Sequence, residues 1–181
     1  RLDAKFWFPG VVKQQTHSFY ITVCQLYAKS RGTVRLRSAR AQDAPRIQLN
    51  LFSHPDDRRQ MREAIRAARR LYRTAPMDAL AGDEILPGAA LETDAQLDDA
   101  IRELGGITHH PVGTCAMGNG PLAVVDPELR VHGIAGLRVA DASVMPTIVA
   151  ANTNAATVMI GEKAADLIPA RRLPPPALPD P

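Results

Sequence analysis

The chain has 181 residues, 45% of them hydrophobic, which is enough to bury one sizeable core and a second small one. Its net charge of +3 is too slight to argue for a nucleic-acid partner, and no apolar run reaches the length of a membrane span, so no transmembrane segment is expected. Cys24 and Cys115 stand far apart without paired spacing, which argues against a disulfide framework or a zinc module and makes a reducing, cytoplasmic compartment the expectation. The first residues carry no signal-peptide pattern, and a start at Arg1 rather than methionine suggests a piece of something longer.

In chain order, the β-branched and aromatic residues from His17 to Tyr27 predict a long strand. Val34 and Leu36 alternate with arginines, and Ile47, Leu49 and Leu51 alternate with Arg46, Gln48 and Asn50, the period of half-buried strands. Three successive strands with short links predict an antiparallel meander. Ser53-His54-Pro55-Asp56 then opens a helix, with Ser53 as the expected cap, Pro55 in the first turn and Asp56 at the positive end of the dipole. The helix should run to about Thr74 and stop before Pro76. Met61, Ile65, Ala68 and Tyr72 share one face; Arg58, Arg62, Arg66, Arg69 and Arg73 share another, which reads as a solvated face because no aromatic residues interleave with the arginines.

Residues 77–92 read as loop. Thr93 with Gln96 forms a capping box for a second helix with an apolar stripe of Leu97, Ala100, Ile101 and Leu104, ended by Gly105-Gly106. Short strands are expected at Val124-Val125, Leu129-Arg130-Val131 and Leu137 to Ala140. A third helix from Thr153 to Ile168 is apolar nearly all round and is therefore expected to be buried. From Pro174 onward the proline-rich tail should be extended and mobile.

Two places carry candidate chemistry. His109-His110-Pro111 puts an imidazole on a stiff loop, because proline fixes the chain and keeps His110 out of the helical region. Such an imidazole can exchange a proton near neutral pH, as a general base must, or it can simply satisfy loop backbone groups; the residues alone leave both open. A metal held by His109, His110 and Cys115 is not expected, since adjacent histidines rarely aim at one ion. Asn152, Thr153 and Asn154 stand at the start of the third helix, where capping needs only one polar residue. Three of them, with a positive dipole end, suit an anionic ligand group such as the pyrimidine edge of a reduced flavin. Gly118-Asn119-Gly120-Pro121-Leu122-Ala123 has the letters of a dinucleotide fingerprint, but Pro121 and the nearby Asp126-Pro127 leave no room for the helix it requires.

His110-Pro111-Val112-Gly113-Thr114 with Met117-Gly118, Val125-Asp126-Pro127, Leu129-Arg130-Val131, Gly136 to Ser143, Met145-Pro146 and Asn152 to Lys163 recur in an order that resembles the carboxy-terminal part of the glucose-methanol-choline (GMC) oxidoreductases, nearest the choline and alcohol dehydrogenase branch. The strand at Gly32 to Leu36 and the helix start at Ser53 resemble that family's substrate domain. The resemblance implies an α+β fold, an antiparallel sheet with helices packed on one side, and a C-terminal segment that would complete an FAD-binding domain. It implies a substrate-binding domain over 1–108, a catalytic loop and FAD-contacting segment over 109–169, and a tail over 170–181.

The same resemblance implies hydride transfer from a primary alcohol, choline-like or other, to FAD. His110 would remove the hydroxyl proton, and Asn152 would orient the substrate oxygen by hydrogen bond. Asp141 and Ala142 would meet the FAD phosphate or ribose, while Thr153, Asn154 and Ala155 would lie against the flavin pyrimidine. Most FAD contacts would come from an amino-terminal region of the same protein or from a partner chain. The competing expectation is a non-catalytic remnant or interaction module that binds a separate flavin-binding chain.

Overall fold

The computed structural model describes residues 19–168; the expected tail, and the start of the first expected strand, lie outside them. The chain divides into two compact units, with the boundary between Thr108 and His109. Secondary structure is α+β: strands β1 (Thr33–Arg35) and β2 (Arg46–Gln48), and helices α1 (Pro55–Tyr72), α2 (Asp94–Leu104) and α3 (Asn154–Leu167).

In the first unit β1 and β2 pair antiparallel, with Val34 opposite Ile47. Gly32 permits the approach, since a Cβ there would stand 2.3 Å from the Gln48 carbonyl oxygen. The expected third strand is absent among the described residues, because segment 19–30 is drawn onto α1 instead. Asp57, fully buried in the first turn of α1, accepts hydrogen bonds from Gln25 Nε2 (2.8 Å), the Lys29 amide (3.0 Å), the Ser30 amide (2.7 Å) and the Ser30 hydroxyl (2.5 Å). Further along, the Phe19 ring lies 5.2 Å from that of Tyr72 at the other end of α1. Both strands are short, and Val34 and Ile47 are exposed within this unit, where half-buried strands were expected.

The cap of α1 is His54, not Ser53. Proline at the first helical position forces the residue before it into extended backbone, the conformation an N-cap requires, so the cap falls one residue later than expected. The His54 Nδ1 accepts from the Asp56 amide at 3.2 Å. The capping box of Thr93 and Gln96 is present as its spacing predicts, and Leu97, Ala100 and Ile101 are buried.

The arginine stripe is not a solvated face. Arg62 pairs with Asp98 (2.7 Å) and Asp94 (3.2 Å), Arg66 with Asp94 (2.6 Å), and Arg69 with Glu84 (2.8 Å). Arg69 also donates to the Gly88 and Leu91 carbonyls. The stripe is the seam along which α1 meets α2 and the loop before it. Sequence periodicity shows that the arginines share a face but cannot show that aspartates of another helix lie opposite.

The second unit is organised around Val125, Leu129, Val144 and Ala164, flanked by Met117, Val124, Val131, Val139, Ile160 and Leu167. The expected short strands appear as single bridges, Val125 with Val131 and Arg130 with Arg138. Gly118 to Ala123 forms the turn between paired segments, with no helix after it. Helix α3 follows its expected span but not its expected burial: only Ala164 is buried, and Val158 and Met159 are exposed. A core this small covers one side of a helix that is apolar on several.

Candidate active site

Three segments of the second unit meet. The loop after His110 is fastened to the turn that follows Asp141: the Cys115 amide donates to the Ser143 carbonyl (3.0 Å) and the Met117 amide to that of Val144 (2.9 Å). Gly113 has φ +87°, and a Cβ on it would stand 3.3 Å from the Met145 carbonyl oxygen, so this loop lies close against the turn where a side chain would crowd it. Asp141 accepts from the Ser143 amide at 2.8 Å and caps the short 3-10 turn Ala142–Val144. Its side chain therefore holds the turn.

The third segment is the start of α3. Thr153, 6% exposed, occupies the cap position, yet its side chain makes no capping hydrogen bond. The backbone shows why. His54 and Thr93 cap from extended conformations with ψ of 134° and 156°, whereas Thr153 has ψ −13°, a helical value. The Thr153 hydroxyl lies instead 2.9 Å from His110 Nδ1, across 43 residues of sequence. Its carbonyl receives the Thr157 amide (2.9 Å) and the Thr157 hydroxyl (2.8 Å), which fix it in the first turn.

His110 is half-buried, and the hydrogen bond sets it against the very turn that carries Asn152, an exposed residue adjacent to Thr153. Asn154 and Ala155, also exposed, begin the helix. Amides in the first turn of a helix lack intrahelical carbonyls, and the cap side chain is engaged elsewhere. An imidazole, a carboxamide and a positive helix end thus share one small region, a combination that can move a proton beside developing negative charge. His109, the residue before His110, has a left-handed backbone with φ +59°.

What the residue types did not reveal is the Thr153 to His110 pairing. A signal exists all the same: Thr93 is followed three residues later by Gln96, the partner in a capping box, while Thr153 is followed by Ala156, which cannot reciprocate. Among the described residues no group of three His, Cys, Asp or Glu is placed to hold a metal ion, and no helix is long and apolar enough to cross a membrane.

A two-stranded sheet, three helices and a histidine loop fastened to a helix start make an α+β chain, and comparison with known proteins identifies its family. A family model described as GMC oxidoreductase matches residues 28–161, and the chain belongs to that family. It is 45% identical over 163 residues to an oxygen-dependent choline dehydrogenase of Brucella ovis, an alignment that covers 89% of this chain and 30% of the relative. Among solved structures it resembles pyridoxine 4-oxidase from Mesorbium loti (TM-score 0.72, 34% identity, 79% of this chain and 28% of that one). It also resembles an FAD-dependent oxidoreductase from Chaetomium thermophilum (TM-score 0.74, 34% identity, 79% and 25%). The chain thus spans about 30% of the length of the curated relatives it matches.

Proposed function

We propose that this chain is the C-terminal catalytic portion of an FAD-dependent alcohol oxidoreductase that converts a primary alcohol, choline or one like it, to the aldehyde. The observation that carries the reading is the 2.9 Å hydrogen bond that holds His110 against the uncapped start of α3. The choline dehydrogenases among the relatives support the substrate class.

The donor chemistry at the helix start fits the anionic pyrimidine edge of a reduced flavin, with Thr153, Asn154 and Ala155 against it and Asp141 and Ala142 meeting the phosphate or ribose through backbone groups. When bound, the flavin supplies the acceptor for hydride leaving the alcohol carbon. His110 takes the hydroxyl proton through its Nε2, since Nδ1 is engaged by Thr153. Asn152 donates its carboxamide N–H to the substrate oxygen as negative charge develops there; an amide does not titrate, so it orients and stabilises rather than accepting the proton. The remaining FAD contacts come from a region this chain does not contain.

The test is anaerobic reduction of bound flavin by choline and by other primary alcohols in the whole protein. His110→Ala should slow it about 10³-fold with FAD still bound. Unchanged reduction in that variant overturns the reading, and a wild-type protein that binds flavin but is reduced by no alcohol favours a non-catalytic module.

A further inference from the structure

We propose that Thr153 is a positioning residue whose hydroxyl accepts a hydrogen bond from Nδ1–H of His110, fixing the tautomer in which Nε2 is the base. The inference rests on the reading of His110 as the proton acceptor, and it deepens that reading by naming the residue that sets which nitrogen does the work.

The separation of Oγ1 and Nδ1 is 2.9 Å, and a hydroxyl can either donate or accept at that distance. The two arrangements have opposite consequences. If the hydroxyl donates to Nδ1, the neutral ring carries its proton on Nε2 and has nothing left with which to accept one. If Nδ1–H donates to the hydroxyl, Nε2 carries the lone pair. Only the second arrangement also survives the reaction, because Nδ1–H is present both before the ring takes a proton and after it. The proton then comes and goes at one nitrogen while the hydrogen bond at the other stays unchanged.

Four features suit Thr153 to this role. It is buried, so water competes little for the ring nitrogen. Its carbonyl is held by both the amide and the hydroxyl of Thr157, so its backbone cannot drift. Its helical backbone keeps the hydroxyl from capping α3, although the residue stands in the cap position. A β-branched side chain also has few rotamers, so little freedom is lost in holding this one.

The test uses the whole FAD-loaded protein with ¹⁵N-labelled histidine, the His110 signals being assigned by their loss in His110→Gln. Long-range proton–nitrogen spectra show which ring nitrogen carries the proton. Wild type should show a protonated Nδ1. Thr153→Val should shift His110 toward a mixture of tautomers and lower kcat for alcohol oxidation about 30-fold with KM changed less than threefold. Thr153→Ser should restore both the spectrum and kcat to within about threefold of wild type.

A wild-type ring protonated on Nε2, a valine variant whose tautomer is unmoved, or a serine variant as impaired as the valine one each overturns the assignment. Should the valine variant fail to fold, the wild-type spectrum and the serine variant still decide. If instead His110→Ala leaves flavin reduction intact while Thr153→Val moves the tautomer, the pairing stands and the alcohol-oxidising reading fails.

Discussion

The helices of the first unit and the helix of the second begin differently. At α1 and α2 the cap residue is extended and its side chain turns back onto the helix's own amides, His54 onto Asp56 and Thr93 onto Gln96. At α3 the cap residue is helical and its side chain reaches away to a histidine 43 residues earlier. A helix start that satisfies itself adds stability and little else. One that lends its cap side chain elsewhere gives up about 1 kcal/mol of capping and keeps its positive end open to a ligand. Within one chain the same residue type, threonine, plays both parts.

The largest way to sharpen this contrast is at the closed end. Asp57→Ala should destabilise the whole protein by about 4 kcal/mol in urea denaturation, because the Lys29 and Ser30 amides and the Gln25 side chain lose a shared charged acceptor. Flavin reduction by alcohol in the protein that remains folded should be unaltered; a loss of less than 1 kcal/mol would show that segment 19–30 is held by something else.

The same carboxylate gives a pH dependence. Burial pushes the Asp57 carboxyl up, but hydrogen bonds from the Ser30 hydroxyl, the Lys29 and Ser30 amides and Gln25 together outweigh burial and hold it below its ordinary value. Its contribution is therefore complete above the ordinary carboxylate pKa of about 3.9 and is lost as pH falls through the lower folded value. Wild-type stability should fall on acidification below about pH 4 more steeply than that of Asp57→Asn.

At the open end the expected effect is smaller and of another kind. Asn152→Ala should slow alcohol oxidation about 30-fold, equivalent to about 2 kcal/mol for one hydrogen bond to developing charge, with the denaturation midpoint unmoved. A variant that loses stability and keeps its rate would place Asn152 among the capping residues and break the contrast. Smallest is Thr93→Ala, which should cost about 1 kcal/mol of stability and leave turnover unchanged.

Much of this was legible in the residues. Thr93 with Gln96 announced a capping box, the span of α3 followed from its run of helix formers, and the order of motifs from His110 to Lys163 pointed to the family. Other features were not. The residues from His17 to Tyr27 have strand character, but the Gln25 side chain and the Phe19 ring are taken up by Asp57 and Tyr72 of α1 rather than by a sheet. The arginines of α1 share a face, but only the arrival of Asp94, Asp98 and Glu84 makes that face a seam.

By itself, then, the sequence determined what depends on neighbours along the chain: which stretches form helices, which loop is stiffened by Pro111, and which side chains have the chemistry to move a proton or orient an oxygen. The tertiary structure alone decided what depends on residues far apart. It chose between capping and pairing for the Thr153 hydroxyl, and it brought His110 to the start of α3. The physical reason is that backbone propensity acts over a few residues, whereas the partner of a polar side chain is set by whichever donor or acceptor folding brings within about 3 Å.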